Sequence, residues 1–295
     1  MLKSFIEKRP EVLAAYGYGS GVFKQSGYTA SDKPQIDLIL VVDDLKRWHN
    51  ENMKLNRGDY SLIGRHSFEN DDVSKLKGKT GITYVSNIKE DDKIYKYGTI
   101  EKEDLLESLK TWNSFYLPGR LQKPIYPIKE DEEVSLAIEK NREDALVLSA
   151  YLADQQLVYT KDLFITLCSF SYMGDTRMKV AENPDKIKNI VEGSFNTFRK
   201  LYKFDPKYFD LRFDMALIDM DNLMKRLEEL PSGLLEYIGD NKNTDARIVG
   251  QVVRDYFEEI NKSESIEQTL KGVRTNGICR SIDYASKKVI KKIKK

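Results

Sequence analysis

The stretch from Tyr16 to Asp44 limits what this chain can become more than any other. Its first half, AYGYGSGVFKQSG, sets Gly17, Gly19 and Gly21 around Ser20, and its second half, QIDLILVVDD, is an apolar run from Ile36 to Val42. Asp37 interrupts that run, and Asp43 and Asp44 stop it. A continuous β-branched run predicts a strand buried on both faces. A carboxylate at the start of such a strand is costly unless a positive charge sits on it. A glycine–serine turn just upstream leaves backbone N–H groups free to face an anion. The two halves together point to a place where a triphosphate and a divalent cation meet.

The bulk of the chain sets the frame. At 295 residues it can bury a substantial core, and two domains are expected. Acids and bases nearly cancel at a formal net charge of +1, so no global field recruits nucleic acid. Cys168 and Cys279, far apart in apolar or mixed stretches, read as buried thiols of a reducing compartment. His49 and His66 are the only histidines, too few for most imidazole-based zinc sites. The start of the chain carries neither an Arg-rich leader nor the apolar core of a signal peptide. No stretch approaches the roughly 20 apolar residues that span a bilayer. A cytosolic protein, or one of an organelle's matrix-like interior, is the expectation.

Along the chain, residues 1 to 15 predict a short helix interrupted at Pro10, and Tyr16 to Gly21 a turn. After the strand Ile36 to Val42, a helix is expected over Leu45 to Asn52, presenting Trp48. Gly81 to Val85 and Ile94 to Ile100 alternate apolar and polar positions and read as strands of a small mixed sheet, with Asn87 to Asp92 as the turn between them. Lys102 to Tyr116 predicts a helix ended by Pro118 and Gly119. From there helices dominate: Asp131 to Leu157, Thr160 to Phe170 with Thr160 as N-cap, residues 207 to 238 around Pro231, and Val249 to Ile260. The class is α+β, divided as a mixed-sheet domain over 1–125, a mostly helical domain over 126–240 and a C-terminal region over 241–295.

Several residues carry candidate chemistry. Gly19, Ser20 and Gly21 are candidates for holding phosphates, although the turn is not the GxxxxGK[ST] loop. Asp37 is the candidate metal ligand. A Gly-Ser turn followed by a strand aspartate is the general layout of nucleotidyltransferases, in which carboxylates hold Mg²⁺ during in-line attack on the α-phosphorus. The second carboxylate is usual two residues on, where the strand period of 2 returns to the same face, and here that residue is Ile39. Asp175, in SYMGDTRM, is the candidate partner, although an Asp near Arg177 also suits a structural ion pair. Asp43 and Asp44 read as a solvated strand end. Arg120 and Lys123, in LPGRLQKP, suit the charge that develops on the bridging and leaving phosphate oxygens, or form a basic surface loop. Lys79, Lys96 and Arg177 are further anion-binding candidates. Trp48, His49 and Trp112 suit a pocket wall or the core, and His49 reads as a hydrogen-bonded spacer rather than a base.

The end of the chain is basic and amphipathic. From Ser281 to Lys295, Ile282, Ala285, Val289 and Ile293 fall on one helical stripe, and Lys287, Lys288, Lys291 and Lys292 lie on the other side with Lys294 and Lys295. Such a helix can lie in the interface of an anionic bilayer, where each lysine contributes about 1 kcal/mol. A solvated terminal helix with lysines at the negative end of its dipole is the other reading.

The segments GYGSGVF, IDLILVVDD with WHNENMKLNRGDYS, KYGTI, WNSFYLPGRLQKP, SYMGDTRM with AENPDKIKNIV, and QTLKGVRTNG occur in that order. With them the chain resembles the mitochondrial translocator assembly and maintenance protein family, the peripheral CDP-diacylglycerol synthases. The resemblance covers nearly the whole chain and is weakest from about Lys203 to Glu259. It implies a nucleotidyltransferase domain, a second, winged-helix-like domain and a C-terminal region that contacts the membrane. The implied reaction of phospholipid biosynthesis joins CTP and phosphatidic acid, with Mg²⁺, to give CDP-diacylglycerol and pyrophosphate. On this resemblance Gly19, Ser20 and Gly21 hold the triphosphate, Asp37 holds the metal, and the GRLQKP and GDTRM segments close the site. Ile39 departs from the superfamily's paired carboxylates and leaves the metal shell open. The start of the chain, close to the first helix, favours a bacterial member at the inner face of the plasma membrane. Two other classes stay open: a nucleotidyltransferase acting on RNA or a protein hydroxyl, and a non-enzymatic membrane-associated assembly factor.

Overall fold

The computed structural model describes residues 1–23, 34–70, 73–153, 155–176, 184–243 and 246–276. Arg177, Cys279 and the lysines of the basic tail (Lys287, Lys288, Lys291, Lys292) lie outside them. The chain opens with α1 (Leu2–Glu7), which buries Phe5 and Ile6. It then enters β1 (Ala14–Tyr18) and β2 (Ile36–Val42). Next come α2 (Leu45–Leu55), a 3-10 turn at Arg57–Asp59, α3 (Leu62–Asn70) and α4 (Val73–Lys77). The hairpin β3 (Thr83–Glu90) and β4 (Lys93–Glu101) leads into α5 (Lys102–Thr111), α6 (Pro118–Leu121) and β5 (Ile125–Lys129).

These five strands form one mixed sheet in the order β3-β4-β2-β1-β5. β2 is central, antiparallel to β1 and parallel to β4. Leu38, Ile39, Leu40 and Val41 are fully buried, as a run apolar on both faces requires. Alternate residues serve opposite layers. Leu38, Leu40 and Val42 pack with Phe5, Trp48 and Phe68, whereas Ile39 and Val41 pack with Leu105, Leu121 and Val134. The sheet continues through β5 to Lys129, past the domain boundary expected at residue 125.

The second layer begins with α7 (Glu132–Ala153), β6 (Leu157–Tyr159) and α8 (Thr160–Phe170). It continues through α9 (Lys186–Leu201), the hairpin β7 (Phe209–Arg212) and β8 (Met215–Ile218), α10 (Met220–Arg226) and α11 (Ser232–Ile238). The last element is α12 (Ala246–Asn276). The small antiparallel sheet runs β6-β8-β7, and its inner face, with Val158, Ala216 and Ile218, joins the core of Phe164, Phe170, Phe198 and Phe257. α12 touches both layers. Lys271 Nζ donates to the Lys77 carbonyl and to Thr80 Oγ1, Glu264 accepts the Phe115 N–H at 3.0 Å, and Asn261 Nδ2 donates to the Phe170 carbonyl at 2.6 Å.

Five expectations need correction. Ala14–Tyr18 is a strand, not the end of a helix followed by a turn, because pairing with β2 and β5 outweighs the glycine content. The turn proper starts at Gly19, whose carbonyl accepts the N–H groups of Val22 and Phe23. α5 stops at Thr111, since Trp112 turns left-handed (φ 57°) with its indole N–H on Asn141 Oδ1 and its carbonyl held by Tyr256. Pro118 does not end a helix but starts one, where its missing N–H costs nothing. Residues 207 to 218 hold the hairpin β7–β8 instead of helix, turned at Phe213 (φ 56°). Thr160 is not the N-cap of α8: it is the first helical residue, Tyr159 occupies the cap, and the Thr160 N–H donates to the Asp214 carbonyl.

Candidate functional site

The site is built where β1 ends and β2 begins. In register, Tyr18 lies opposite Asp37 and Asp37 opposite Lys96, so three adjacent strands present these side chains on one face. That face is the one covered by α5, α6 and α7. Gly19 follows immediately at φ +75°, and a Cβ there would come within 3.3 Å of Asp37 Oδ2. The glycine keeps the space before the carboxylate open. Gly21 is needed for a different reason, since its Cβ would lie 2.2 Å from the Gln35 carbonyl oxygen.

Arg120 reaches this place from α6. Its guanidinium carbon lies 4.8 Å from the ring centroids of both Tyr18 and Tyr116, and Lys96 Nζ lies 4.0 Å from that of Tyr84. Tyr84 and Tyr116 meet edge to face. Burial alone lowers the Arg120 pKa, but Tyr18, Tyr116, Tyr84 and Asp37 outweigh it and hold it well above its ordinary value. Burial raises the Tyr18 phenol, with Arg120 partly opposing. Tyr84 Oη and Arg120 Nε are buried with no hydrogen-bond partner among the described residues.

Lys123, one turn beyond Arg120, faces elsewhere: its Nζ donates to the Gly119 carbonyl and, at 2.5 Å, to Ser171 Oγ. Burial, with Arg120 and Lys186 nearby, pushes its pKa down to about 7. Asp175 is buried beside α12: its N–H donates to the Tyr172 carbonyl, and the next residue, Thr176, bonds Ser265. The structure thus gathers Gly19, Asp37, Lys96 and Arg120 in one cluster, sets Lys123 on its border and holds Asp175 on the α12 side. Among the described residues no three His, Cys, Asp or Glu side chains form a ready-made metal cage.

Other candidates have structural roles. Asp44 accepts the Arg47 N–H as the N-cap of α2, and Asp43 pairs with Arg47 in solvent. Lys79 gives its N–H to Glu267. Trp48 and Trp112 are buried in the core. His49 is fully buried between Tyr60 and Thr99, and burial lowers its pKa to about 3. Cys168 is a buried free thiol, pushed up to about 12 by burial. Sequence reasoning missed Tyr18, Tyr84, Tyr116, Tyr172 and Lys186. One signal was available: Tyr116 precedes Arg120 by four residues, a spacing at which side chains meet on a helical turn.

The family model described as "Phosphatidate cytidylyltransferase, mitochondrial" matches residues 2–213. The chain belongs to this family. Individual relatives carry the same name. The Schizosaccharomyces pombe protein is 32% identical, with 94% of this chain and 79% of the relative covered. The Rattus norvegicus protein is 33% identical, with 98% and 94% covered, and the Saccharomyces cerevisiae protein 35% identical, with 95% and 67% covered. The part matched to the phosphatidate cytidylyltransferase family contains Gly19 to Gly21, Asp37, Lys96, Arg120, Lys123, Asp175 and Lys186. It stops short of α12. Among the described residues no helix is long and apolar enough to cross a membrane.

Proposed function

We propose that this chain is a Mg²⁺-dependent phosphatidate cytidylyltransferase, making CDP-diacylglycerol and pyrophosphate from CTP and phosphatidic acid. The observation that carries this reading is Asp37, set beside an open glycine turn and two aromatic-held cations in a chain of this family. The first sheet is read as nucleotidyltransferase-like and the second layer, with its β7–β8 hairpin, as winged-helix-like. The N–H groups of Gly19, Ser20 and Gly21 bind the triphosphate. Lys96 and Arg120 balance its charge as pyrophosphate leaves. A phosphate oxygen of the lipid attacks the α-phosphorus in line and the α–β bridging bond breaks. Phosphate is already ionised at neutral pH, so positioning matters more than a base.

Mg²⁺ is usually held by one or two carboxylates together with substrate phosphates, which a single strand carboxylate beside a triphosphate turn fits. Asp37 would hold it, with Asp175 as the candidate second carboxylate and Arg177 as a further phosphate ligand. The ion would supply Lewis-acid stabilisation of phosphoryl charge. Phosphatidic acid stays in its bilayer, so the enzyme works at an anionic membrane surface, the inner face of the plasma membrane or its matrix-side counterpart. The lysines at 287, 288, 291 and 292 supply the attraction.

The test is labelled-lipid formation from each nucleoside triphosphate, with phosphatidic acid vesicles and Mg²⁺. CDP-diacylglycerol from CTP, reduced on the order of 10²–10³-fold in Asp37→Asn, is expected. Undiminished product in Asp37→Asn would discard this metal ligand. Triphosphate binding without lipid labelling would move the search to RNA or protein acceptors. Ending the chain at residue 280 tests the membrane role: activity on anionic vesicles should fall far more than on detergent-dispersed substrate, and equal losses would refute it.

A further inference from the structure

The Arg120 guanidinium rests against the faces of Tyr18 and Tyr116, and its Nε makes no hydrogen bond among the described residues. A cation over a ring has a broad energy minimum, so its place follows from where ring and backbone stand. Residues 112–121 set both. The Phe115 carbonyl accepts the Gly119 N–H at 3.0 Å, and the Leu117 carbonyl accepts the Arg120 N–H at 3.0 Å. This turn has no slack, since a Cβ on Gly119 would come 2.6 Å from both the Phe115 ring and Ser171 Cβ.

The two ends of α6 are held differently. At its C-terminal end side-chain donors reach the carbonyls. Asn141 Nδ2 donates to Pro118 at 3.1 Å, Arg142 Nε to Leu121 at 3.1 Å and Tyr202 Oη to Gln122 at 2.7 Å. At the other end the holder is α12. Tyr256 Oη donates to the Trp112 carbonyl at 2.5 Å, and the Phe257 ring lies 4.6 Å from that of Phe115. Glu264, on the same face of the helix as Phe257, accepts the Phe115 N–H at 3.0 Å. It is 2% exposed. Burial pushes its carboxyl up to about 7, with Ser114 and the N–H groups of Phe115 and Tyr116 opposing. A carboxylate is costly to bury, but its hydrogen bonds to N–H groups are stronger than those of a neutral acceptor.

We infer that Glu264 is a positioning residue for cytidylyl transfer: by holding the Phe115 and Tyr116 N–H groups it places α6, and through α6 the Arg120 guanidinium, beside Asp37. The inference rests on the cytidylyltransferase reading and deepens it. Glu264 lies beyond residues 2–213, the part that the family model matches. Without its carboxylate, buried N–H groups lose their acceptor, and the turn has to shift to satisfy them. Arg120 shifts with it, and the charge on the leaving pyrophosphate is balanced less well.

The test is a double-mutant cycle on Glu264→Ala and Arg120→Met, read as kcat/KM for CTP at a temperature where every variant is folded. Glu264→Ala is expected to lose on the order of 10-fold by misplacing Arg120, and Arg120→Met on the order of 10²-fold. The double variant should lose no more than Arg120→Met alone, because Glu264 acts through that side chain. Additive losses would overturn the assignment. Glu264→Gln keeps an oxygen for the Phe115 N–H and should recover most of the activity, and a loss equal to that of Glu264→Ala would also overturn it. Hydrogen exchange over residues 113–122 of the free protein needs no substrate. Exchange there should quicken in Glu264→Ala and not in Glu264→Gln, and unchanged protection in Glu264→Ala would show that α6 is placed by other contacts. If wild type binds CTP but forms no CDP-diacylglycerol, the reaction proposed above fails, and the same cycle read as calorimetric Kd for CTP still decides the role of Glu264.

Discussion

The β2–β4 pair carries buried polar side chains on both faces, and the two sets differ in one respect. On the α2 face, the Arg9 guanidinium donates to Asp59 Oδ2 at 2.9 and 3.1 Å, and Tyr97 donates to the same oxygen at 3.2 Å. Asn52 Nδ2 donates to the hydroxyls of Tyr97 and Tyr60, and His49 links Tyr60 to Thr99. None of these seven residues leaves a buried side-chain polar atom without a partner. On the opposite face, Tyr84 Oη and Arg120 Nε remain without one among the described residues. Lys96 points to the open set, and Tyr97, its neighbour in β4, to the closed one. A closed network fixes a fold, whereas donors left open are what a ligand can complete.

This contrast can be broken from either side. The largest effect is expected from Arg9→Met, which leaves the Asp59 carboxylate buried without its cation. A loss of about 3–5 kcal/mol in urea unfolding is expected, with turnover by the surviving folded protein near wild type. Asp37→Asn should do the reverse, and its melting temperature checks this half of the contrast. A large activity loss in cold-stable Arg9→Met would show that the closed network also serves the site.

A smaller effect comes from acid. His49 has a folded pKa of about 3 against an unfolded value of about 6.5. Its contribution is therefore fully present above pH 6.5 and is lost as the pH falls below it, because the unfolded chain takes up the proton first. The stability gap between wild type and His49→Gln should narrow by about 1.4 kcal/mol between pH 7.5 and 5.5. A constant gap would mean that the folded imidazole is protonated as readily as the unfolded one.

How much could be read in advance follows the same division. β2 was legible to the residue because Ile36–Val42 is β-branched and apolar, and the turn signal around Gly19 marked the open space before Asp37. The tyrosine cradle was not. Tyr18, Tyr84 and Arg120 meet through strand pairing and the docking of α6, which no local pattern encodes. The β7–β8 hairpin was missed because Met215, Ala216 and Leu217 favour helix in isolation, and only packing against β6 selects the strand. Nothing in the sequence sets Lys186 apart, and its place near Tyr172 comes only from the packing of the turn after α8 against the start of α9.

α12 sets the terms on which the cleft can move. It is one continuous rod with Lys271 fastened to the loop before β3, Glu264 to the segment before α6 and Asn261 to the turn after α8. A hinge that swung the two layers apart would have to unfasten at least one of these clasps. The walls are splinted together, so traffic through the site falls to side chains and short loops.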